Sequence, residues 1–531
     1  MSDSIMRNDE FSRWRAFFWP VHQHELKKLL PMLALFFLVS LDYNILRTMK
    51  DTLVVTAKSS GAEVIPFIKV WVMFPSAILM TFIFTRLSNR FARETVFYLM
   101  LSIFLAFFAI FTFILYPARD LLHPHATADA LQAYLATGWK GPIALFRNWT
   151  FTSFYVMAEL WSSVILSLLF WGFANQITRI GEAKRFYGLF GIGANLSGVA
   201  AGQLSAFFCC LAYNPSLPFG SDAWEQSMIM LVSLIIVVGV GIIAVFRWLN
   251  TRVLTDSLYN DNASQGETHE AAGKVKGKLS MRASIAFLFR SKYLICLALI
   301  VVSYNLVINL VEVVWKHQVK ELYPTPSAFN FYMSEVATIT GIIATLAALL
   351  ISGNSIRKCG WTFTAMLTPA IIFITSIGFF GFFFLKEYQS DAALAILGTA
   401  PLTLVVFFGS AQNILSRGAK YSVFDATKEM AFVPLNAESQ IKGKAVIDGV
   451  CSRMGKSGGS LVHQTLLLSL SSITASAPYV AAFLLGIIGL WLVATHLLGK
   501  KFTELTTPPE AVLASRTQEK PFIPQAALAE G

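Results

Sequence analysis

Charged side chains are scarce in this chain of 531 residues. Only 14% of its residues are Asp, Glu, Lys or Arg, whereas 55% are hydrophobic and the mean hydropathy is +0.59. Soluble globular domains carry about 25% charged residues. The composition therefore excludes an ordinary soluble protein and predicts an all-α membrane protein that crosses the bilayer many times.

Motifs for disulfides, metal binding and catalysis are also lacking. The five cysteines have neither paired spacing nor a Cys-x-x-Cys motif, so neither a disulfide framework nor a metal site is indicated. The sequence contains no His-Glu-x-x-His and no nucleophile elbow, and Gly449 lies one residue too far from Gly455-Lys456-Ser457 to form a phosphate loop. We therefore predict neither an enzyme nor a bound cofactor.

A secretory signal is missing from the N-terminus. Residues 1–28 are too charged and too short of apolar residues to be one, and their acidic residues argue against an organellar transit peptide. We interpret this stretch as a cytoplasmic segment that precedes the first membrane span.

Long apolar runs occupy most of the remaining chain. Runs of about 20 residues predict transmembrane helices. We predict twelve, at 29–49, 64–85, 95–116, 150–174, 186–211, 227–249, 293–315, 330–352, 362–385, 393–416, 444–469 and 473–497.

Lys and Arg are distributed unevenly among the connections. They cluster after even-numbered spans, as at Arg86, Arg90 and Arg93, whereas the connections 213–226 and 471–477 contain none. The positive-inside rule then places both termini in the cytoplasm. The net charge of +11 is explained by these loops, so no nucleic-acid partner is predicted.

A polar stretch divides the chain into two halves. We predict a first six-helix half at 29–250, a cytoplasmic linker at 251–291, a second six-helix half at 292–498 and a disordered cytoplasmic tail at 499–531. Tyr43-Asn44-Ile45-Leu46 recurs as Tyr304-Asn305-Leu306-Val307, which aligns Asp51 with Glu312. Parallel repeats of this kind predict a major-facilitator-like bundle with a substrate site between its halves.

Five cations lie in or beside predicted spans 1, 2 and 11. They are Arg47, Lys50, Lys69, Arg453 and Lys456. Charges at membrane depth are costly and usually line a binding cavity, and Lys and Arg bind phosphate oxygens well. The set predicts a substrate with several negative charges. The alternatives are that Lys69 snorkels to the membrane surface and that the pair in span 11 is an interfacial anchor.

Three carboxylates accompany these cations. Asp51 shares a helix face with Arg47 and Lys50, and Glu159 lies well inside span 4. Glu312 lies near the end of span 7, one turn from Lys316. We predict that the three acids serve transport or proton coupling. The alternative is a structural ion pair, which Glu312 could form with Lys316.

Several longer motifs resemble one family, the ATP/ADP translocases (nucleotide transporters) of plastids and obligate intracellular bacteria, and chlamydial members in particular. The resemblance covers about residues 20–500 and is carried by 24–28 (His-Glu-Leu-Lys-Lys), 50–57 (Lys-Asp-Thr-Leu-Val-Val-Thr-Ala), 61–69, 158–161 (Ala-Glu-Leu-Trp), 170–175, 309–313 and 455–459 (Gly-Lys-Ser-Gly-Gly).

The resemblance implies a nucleotide transporter of the bacterial inner membrane with major-facilitator architecture. It implies that Lys69, Glu159, Glu312 and Lys456 are charged positions needed for transport, and that Asn195 contacts the nucleotide. The sequence departs from the family pattern Arg-Asp-Thr-Lys-Asp at Thr48, where a carboxylate is missing.

This departure makes the neighbourhood of Arg47 more positive and favours a triphosphate. We therefore predict a monomer that imports nucleoside triphosphates, with ADP as a further substrate, by proton symport. The alternatives are ATP/ADP exchange and, from another class, a nucleotide-sensing membrane receptor, which would need a soluble output domain that the polar segments are too short to supply.

Overall fold

The computed structural model describes residues 21–178, 180–254, 288–388 and 400–506, and its principal elements are twelve long helices. They are α1 Leu26–Val55, α2 Val64–Arg90, α3 Arg93–Leu115, α4 Trp149–Ile177, α5 Ile180–Cys210, α6 Ala223–Val253, α7 Lys292–Leu322, α8 Pro326–Leu350, α9 Ser352–Tyr388, α10 401–432, α11 437–470 and α12 Ile473–Thr506. The predicted linker and tail lie largely outside the described residues.

Ten of these helices are long and apolar enough to cross a membrane, and α10 and α11 are more polar than the rest. The predicted all-α membrane fold is confirmed, while the count of twelve transmembrane helices stays a prediction. Predicted and observed boundaries differ most for α9, α10 and α12. The structure begins α9 at Ser352 instead of 362, ends α10 at 432 instead of 416, and continues α12 to Thr506, past 499 where the disordered tail was predicted to begin. The helices α10 and α11 include charged stretches, 420–432 and 437–443, which hydropathy alone does not assign to a span.

Local capping explains where several helices begin. The Asp222 side chain accepts a hydrogen bond from Glu225 N at 2.8 Å, which starts α6. The Thr325 hydroxyl accepts one from Ala328 N, and Pro326 occupies the first turn of α8. Such residues satisfy the amide groups that a helix leaves free at its N-terminus. Gly360, with φ of 81°, breaks α9 near its start.

Each half is built around its first helix. In the first half α1 packs against α4, α5 and α6, and Trp161 Nε1 of α4 donates to Val39 O of α1 at 3.1 Å. In the second half α7 packs against α10, α11 and α12, and the rings of Tyr304 and Phe424 stack with centroids 4.6 Å apart. Equivalent helices therefore occupy the centre of each half.

The repeated Tyr-Asn pairs have matching local structure. Asn44 Nδ2 donates to Ser40 O at 2.8 Å, and Asn305 Nδ2 donates to Val301 O at 2.9 Å. In both helices the amide bonds the carbonyl one turn earlier. The sequence echo thus corresponds to the same backbone contact in α1 and α7.

The two halves meet at one end of the bundle, which contains the end of α1 and the beginnings of α2 and α8. We call it the closed end. There the Thr52 hydroxyl donates to Asn330 Oδ1 at 3.0 Å, and Gln464 Nε2 donates to Pro66 O at 2.9 Å. In the predicted topology the closed end is the outer one.

Small residues allow α5 and α8 to approach closely between the halves. A Cβ atom on Gly202 of α5 would lie 2.6 Å from Ser334 O of α8. A backbone carbonyl cannot swing aside as a flexible side chain can. Glycine is therefore required at this crossing, as is common where membrane helices pack together.

We expect Gly202→Ala to destabilise this arrangement by about 1–3 kcal/mol, the usual cost of overpacking. Gly191→Ala on the same helix is the matched control, because a Cβ atom there would have no neighbour within 4 Å. The melting temperatures of the two purified variants in detergent measure the difference. Equal melting temperatures would show that α5 and α8 do not pack in this way.

Candidate functional site

Six charged side chains form a continuous series of ion pairs between the halves. Three are lysines and three are carboxylates, so their formal charges cancel. The series, which we call the ion-pair chain, runs Glu159–Lys50 (3.3 Å), Lys50–Asp51 (3.1 Å), Asp51–Lys316 (2.7 Å), Lys316–Glu312 (2.8 Å) and Glu312–Lys69 (3.1 Å).

Two links of the ion-pair chain join the halves directly. Asp51 of α1 pairs with Lys316 of α7, and Lys69 of α2 pairs with Glu312 of α7. Lys69 Nζ also donates to Asn309 Oδ1 at 2.7 Å. Lys69 therefore reaches across to α7 of the other half.

Burial is deepest at the centre of the ion-pair chain. The Lys316 side chain is 1% exposed and that of Asp51 is 3% exposed, whereas that of Glu159 is 33% exposed. Charged groups are costly to bury unless they are paired, and removing one partner leaves an uncompensated charge. The central Asp51–Lys316 pair thus depends on both halves being together.

Local helix geometry positions two members of the ion-pair chain. Glu312 and Lys316 are one turn apart on α7, a spacing that brings their side chains together. Lys69 lies in a π-helical stretch, Ile68–Val72, that follows Pro66. Such wide turns occur often at functional sites. A second one, Ser162–Phe170, begins just after the turn of α4 that carries Glu159.

An aromatic ring supports the Glu159 end of the ion-pair chain. Lys50 Nζ lies 3.9 Å from the centroid of the Tyr155 ring. A cation over a ring face is stabilised by the ring's quadrupole. Lys50 was predicted to bind phosphate as a free cation, but here its ammonium group is shared between two carboxylates and this ring.

The other predicted cations lie apart from these pairs. Among the described residues, Arg47 and Lys456 form no ion pair. Arg47 lies close enough to Glu312 and Tyr421 for electrostatic interaction, and Lys456 lies close enough to Glu159 and Lys69. Both cations thus face charged or polar groups of the opposite half, and we call the region between Arg47, Lys69, Glu159 and Lys456, beside the ion-pair chain, the central space.

Arg453 and Asn195 have different surroundings. Arg453 is exposed and forms no ion pair within the described part of the chain, so the structure does not bring it to the other cations. Asn195 is half-buried on α5, where its carbonyl oxygen lies near Gly341 of α8. Its predicted contact with a nucleotide stays a prediction.

The sequence does not reveal that Lys316 links the two halves. This lysine was considered only as a local partner of Glu312, yet it joins Glu312 to Asp51 of the other half. A lysine within a long apolar helix, one turn from a carboxylate, was the available signal. The missing information was that Asp51 faces α7, which depends on how the halves pack.

Comparison with known proteins identifies the family. The family model described as "TLC ATP/ADP transporter" matches residues 4–502. The chain belongs to this family. It is 47% identical to "ADP,ATP carrier protein 1" of Chlamydia pneumoniae over 93% of this chain and 94% of that protein. It is 41% identical to "ADP,ATP carrier protein 2, chloroplastic" of Arabidopsis thaliana, over 91% of this chain and 76% of that protein.

Solved structures of other transporters share the fold. A D-xylose-proton symporter matches with a TM-score of 0.51 at 13% identity, covering 89% of this chain and 97% of that one. A bacterial homologue of the iron transporter ferroportin in an inward-facing state matches with a TM-score of 0.50 at 12% identity, covering 92% of this chain and 100% of that one. These likenesses show a major-facilitator-like fold. This member of the TLC family is a multi-pass membrane transporter and not an enzyme.

We expect Lys316→Met to destabilise the protein by about 3–5 kcal/mol, because it leaves Asp51 and Glu312 competing for fewer cations in a buried site. Adding Asp51→Asn should restore much of that loss, since Lys50–Glu159 and Lys69–Glu312 then remain as balanced pairs. Melting temperatures of the single and double variants test this coupling. A double variant no more stable than Lys316→Met would show that the two residues do not interact.

Proposed function

We propose that this chain carries ATP and ADP across the bacterial inner membrane by alternating access between its halves. The observation that carries the proposal is the placement of Lys69, Lys456 and Arg47 around one central space, with members from both halves. Phosphate groups are bound well by such cations. The names of the relatives, ADP,ATP carrier proteins, support the same substrates.

Binding and opening are linked through the lysines. In this structure each lysine of the ion-pair chain has a carboxylate partner. A nucleotide enters with phosphate oxygens that compete for the same ammonium groups, beginning with Lys69, the most exposed lysine of the ion-pair chain. When phosphate takes Lys69 from Glu312, one of the two direct links between the halves is lost. Substrate binding thereby favours opening of the closed end.

The orientation of this cycle follows from the charge distribution. We assign the closed end to the outside and both termini to the cytoplasm, as the positive-inside rule predicts. The central space that contains Lys456 is then the cytoplasmic side of the ion-pair chain. A nucleotide taken up from outside would pass the ion-pair chain before reaching Arg47 and Lys456.

Lys69→Ala and Lys456→Ala are expected to weaken nucleotide uptake at low concentration at least tenfold each. A charge-assisted contact is worth about 1.5–3 kcal/mol, and 1.4 kcal/mol is a factor of ten. Uptake of labelled ATP by cells expressing each variant measures this. Lys444→Ala is the control, because that exposed lysine pairs with Glu429 away from the central space. Near wild-type uptake by both test variants would contradict the phosphate assignment.

The coupling mode is the finer part of the proposal. We favour import of the triphosphate with a proton, and ATP/ADP exchange is the alternative that the relatives' names favour. Glu159 and Glu312 were the predicted proton carriers. Each is now seen in an ion pair with lysine, which stabilises its charged form. Symport therefore needs another acid.

Reconstituted vesicles distinguish the two modes. We expect an inward proton gradient to stimulate ATP uptake into vesicles that contain no ADP, because a protonated carrier can reorient without a nucleotide for exchange. Vesicles preloaded with ADP and lacking the gradient are the comparison. Uptake that requires internal ADP and ignores the gradient would establish exchange.

A further inference from the structure

Asp42 is a buried carboxyl group that the ion-pair chain does not include. It lies near the middle of α1, roughly 24 Å from the start of a helix that rises about 1.5 Å per residue. Its side chain is fully buried, at 0% exposure. Within the described residues neither of its oxygens has a hydrogen-bond partner.

Apolar side chains surround this position on α1. Val39, Ile45 and Leu46, within a turn of Asp42, are each 0% exposed. The Val39 carbonyl accepts the Trp161 indole N–H, and the Trp161 ring in turn packs edge-on against Phe104 of α3 at 5.7 Å. The carboxyl group therefore lies in the packed interior of the first half, away from the central space.

Charged and titratable groups that the structure describes on the neighbouring helices have partners other than Asp42 or lie far from it. On α4, Glu159 and Tyr155 contact Lys50, two turns further along α1. Further titratable side chains on these helices form hydrogen bonds or ion pairs with residues other than Asp42. These pairs are Glu182 of α5 with Lys28, Tyr187 of α5 with Asn175, Cys209 of α5 with Asn330, Glu225 of α6 with Ser221, Tyr332 of α8 with Ser410, Glu335 of α8 with Gln203, and Lys316 of α7 with Asp51. Arg247 and Arg252 lie near the far end of α6.

An ionised carboxylate is costly in such a place. Burying a charge without a donor or a countercharge is among the least favourable events in a membrane interior. Glu159 and Glu312 avoid that cost through their lysines, whereas Asp42 has no such partner. Asp42 therefore holds its proton in the conformation seen here.

We propose that Asp42 is the proton-binding site of the transport cycle. The inference rests on the proposed nucleotide transport and supplies the acid that symport requires. The carboxylate gains a proton from water on the outer side to become a neutral carboxyl group, and it returns that proton to cytoplasmic water in another conformation. No other bond is made or broken.

The link to the nucleotide is α1 itself. The helix that holds Asp42 also carries Arg47, Lys50 and Asp51, which lie one to two and a half turns further along. A movement of α1 that rearranges the ion-pair chain also changes the packing around Asp42. Protonation and phosphate binding therefore bias the same moving element.

The test compares Asp42→Asn with Ser40→Ala in vesicles. The asparagine copies the size of the neutral carboxyl group but cannot release a proton. Ser40→Ala is the matched control, because Ser40 is likewise buried on α1 with an unpartnered hydroxyl group that does not titrate. Each variant is assayed for ATP uptake driven by a proton gradient and for ATP/ADP counterflow.

For one proton per nucleotide, the wild type and Ser40→Ala should gain up to about tenfold accumulation of ATP per pH unit of gradient. Asp42→Asn should lose that gain and keep counterflow. Gradient-driven accumulation by Asp42→Asn equal to that of the wild type would overturn the assignment. If the wild type shows counterflow but no effect of the proton gradient, the assignment of Asp42 is wrong and nucleotide transport still stands. If the wild type shows neither activity, the proposed function itself is contradicted.

Infrared spectroscopy gives a readout that does not depend on transport. Purified protein at neutral pH should show the band of a protonated carboxyl group, and that band should be missing from Asp42→Asn. If the asparagine variant does not fold, Asp42→Glu, which retains the titratable group, is compared in the same way. A wild-type spectrum without any protonated carboxyl band would overturn the proposal.

Discussion

The pairing of Asp51 with Lys316 is the interaction on which the arrangement of the halves depends. The two side chains meet at 2.7 Å and both are almost completely buried. In a medium of low dielectric constant neither charge can remain without the other. Because one residue belongs to α1 and the other to α7, separating the halves at this point leaves two buried charges to be neutralised. Water or a new counter-ion must then take the partner's place.

The other members of the ion-pair chain are likewise paired, on both sides of Asp51 and Lys316. Lys316 also forms an ion pair with Glu312, Glu312 forms one with Lys69, and Lys50 is paired with both Asp51 and Glu159. The three lysines and three carboxylates are thus electrically balanced at the closed end. In the proposed transport cycle a polyphosphate exchanges partners with these lysines, and its negative charge favours opening of the closed end. Arg47 and Lys456, without ion pairs among the described residues, are the cations that the proposed function assigns to the phosphate groups.

Two kinds of buried acid are present in this membrane protein. Asp51 and Glu312 are stabilised in their charged form by lysines of the ion-pair chain. Asp42 lies in an apolar interior, and none of the described residues donates a hydrogen bond to it. The first kind suits a group that must hold a cation in position, and the second suits a group that exchanges a proton. Asp42 and Asp51 lie nine residues apart on α1 and therefore at different depths and on different faces of that helix.

The sequence by itself determined the membrane class, the helical fold and most of the charged positions. Apolar runs and scarce charge are local properties, and a bilayer admits few structures for them. The charges of α1, α2, α4 and α7 stood out because each interrupts an apolar run. The tertiary structure alone decided which charges pair. Lys50 and Lys69 proved to be shared with carboxylates, Arg453 proved to lie apart, and Lys316 proved to join the halves. Pairing depends on which helix faces pack together. The local sequence around two residues that are hundreds of positions apart does not show whether their helices will meet. For the same reason only the structure distinguished Asp42, for which no hydrogen-bond partner is found in the described part of the chain, from the acids that form ion pairs.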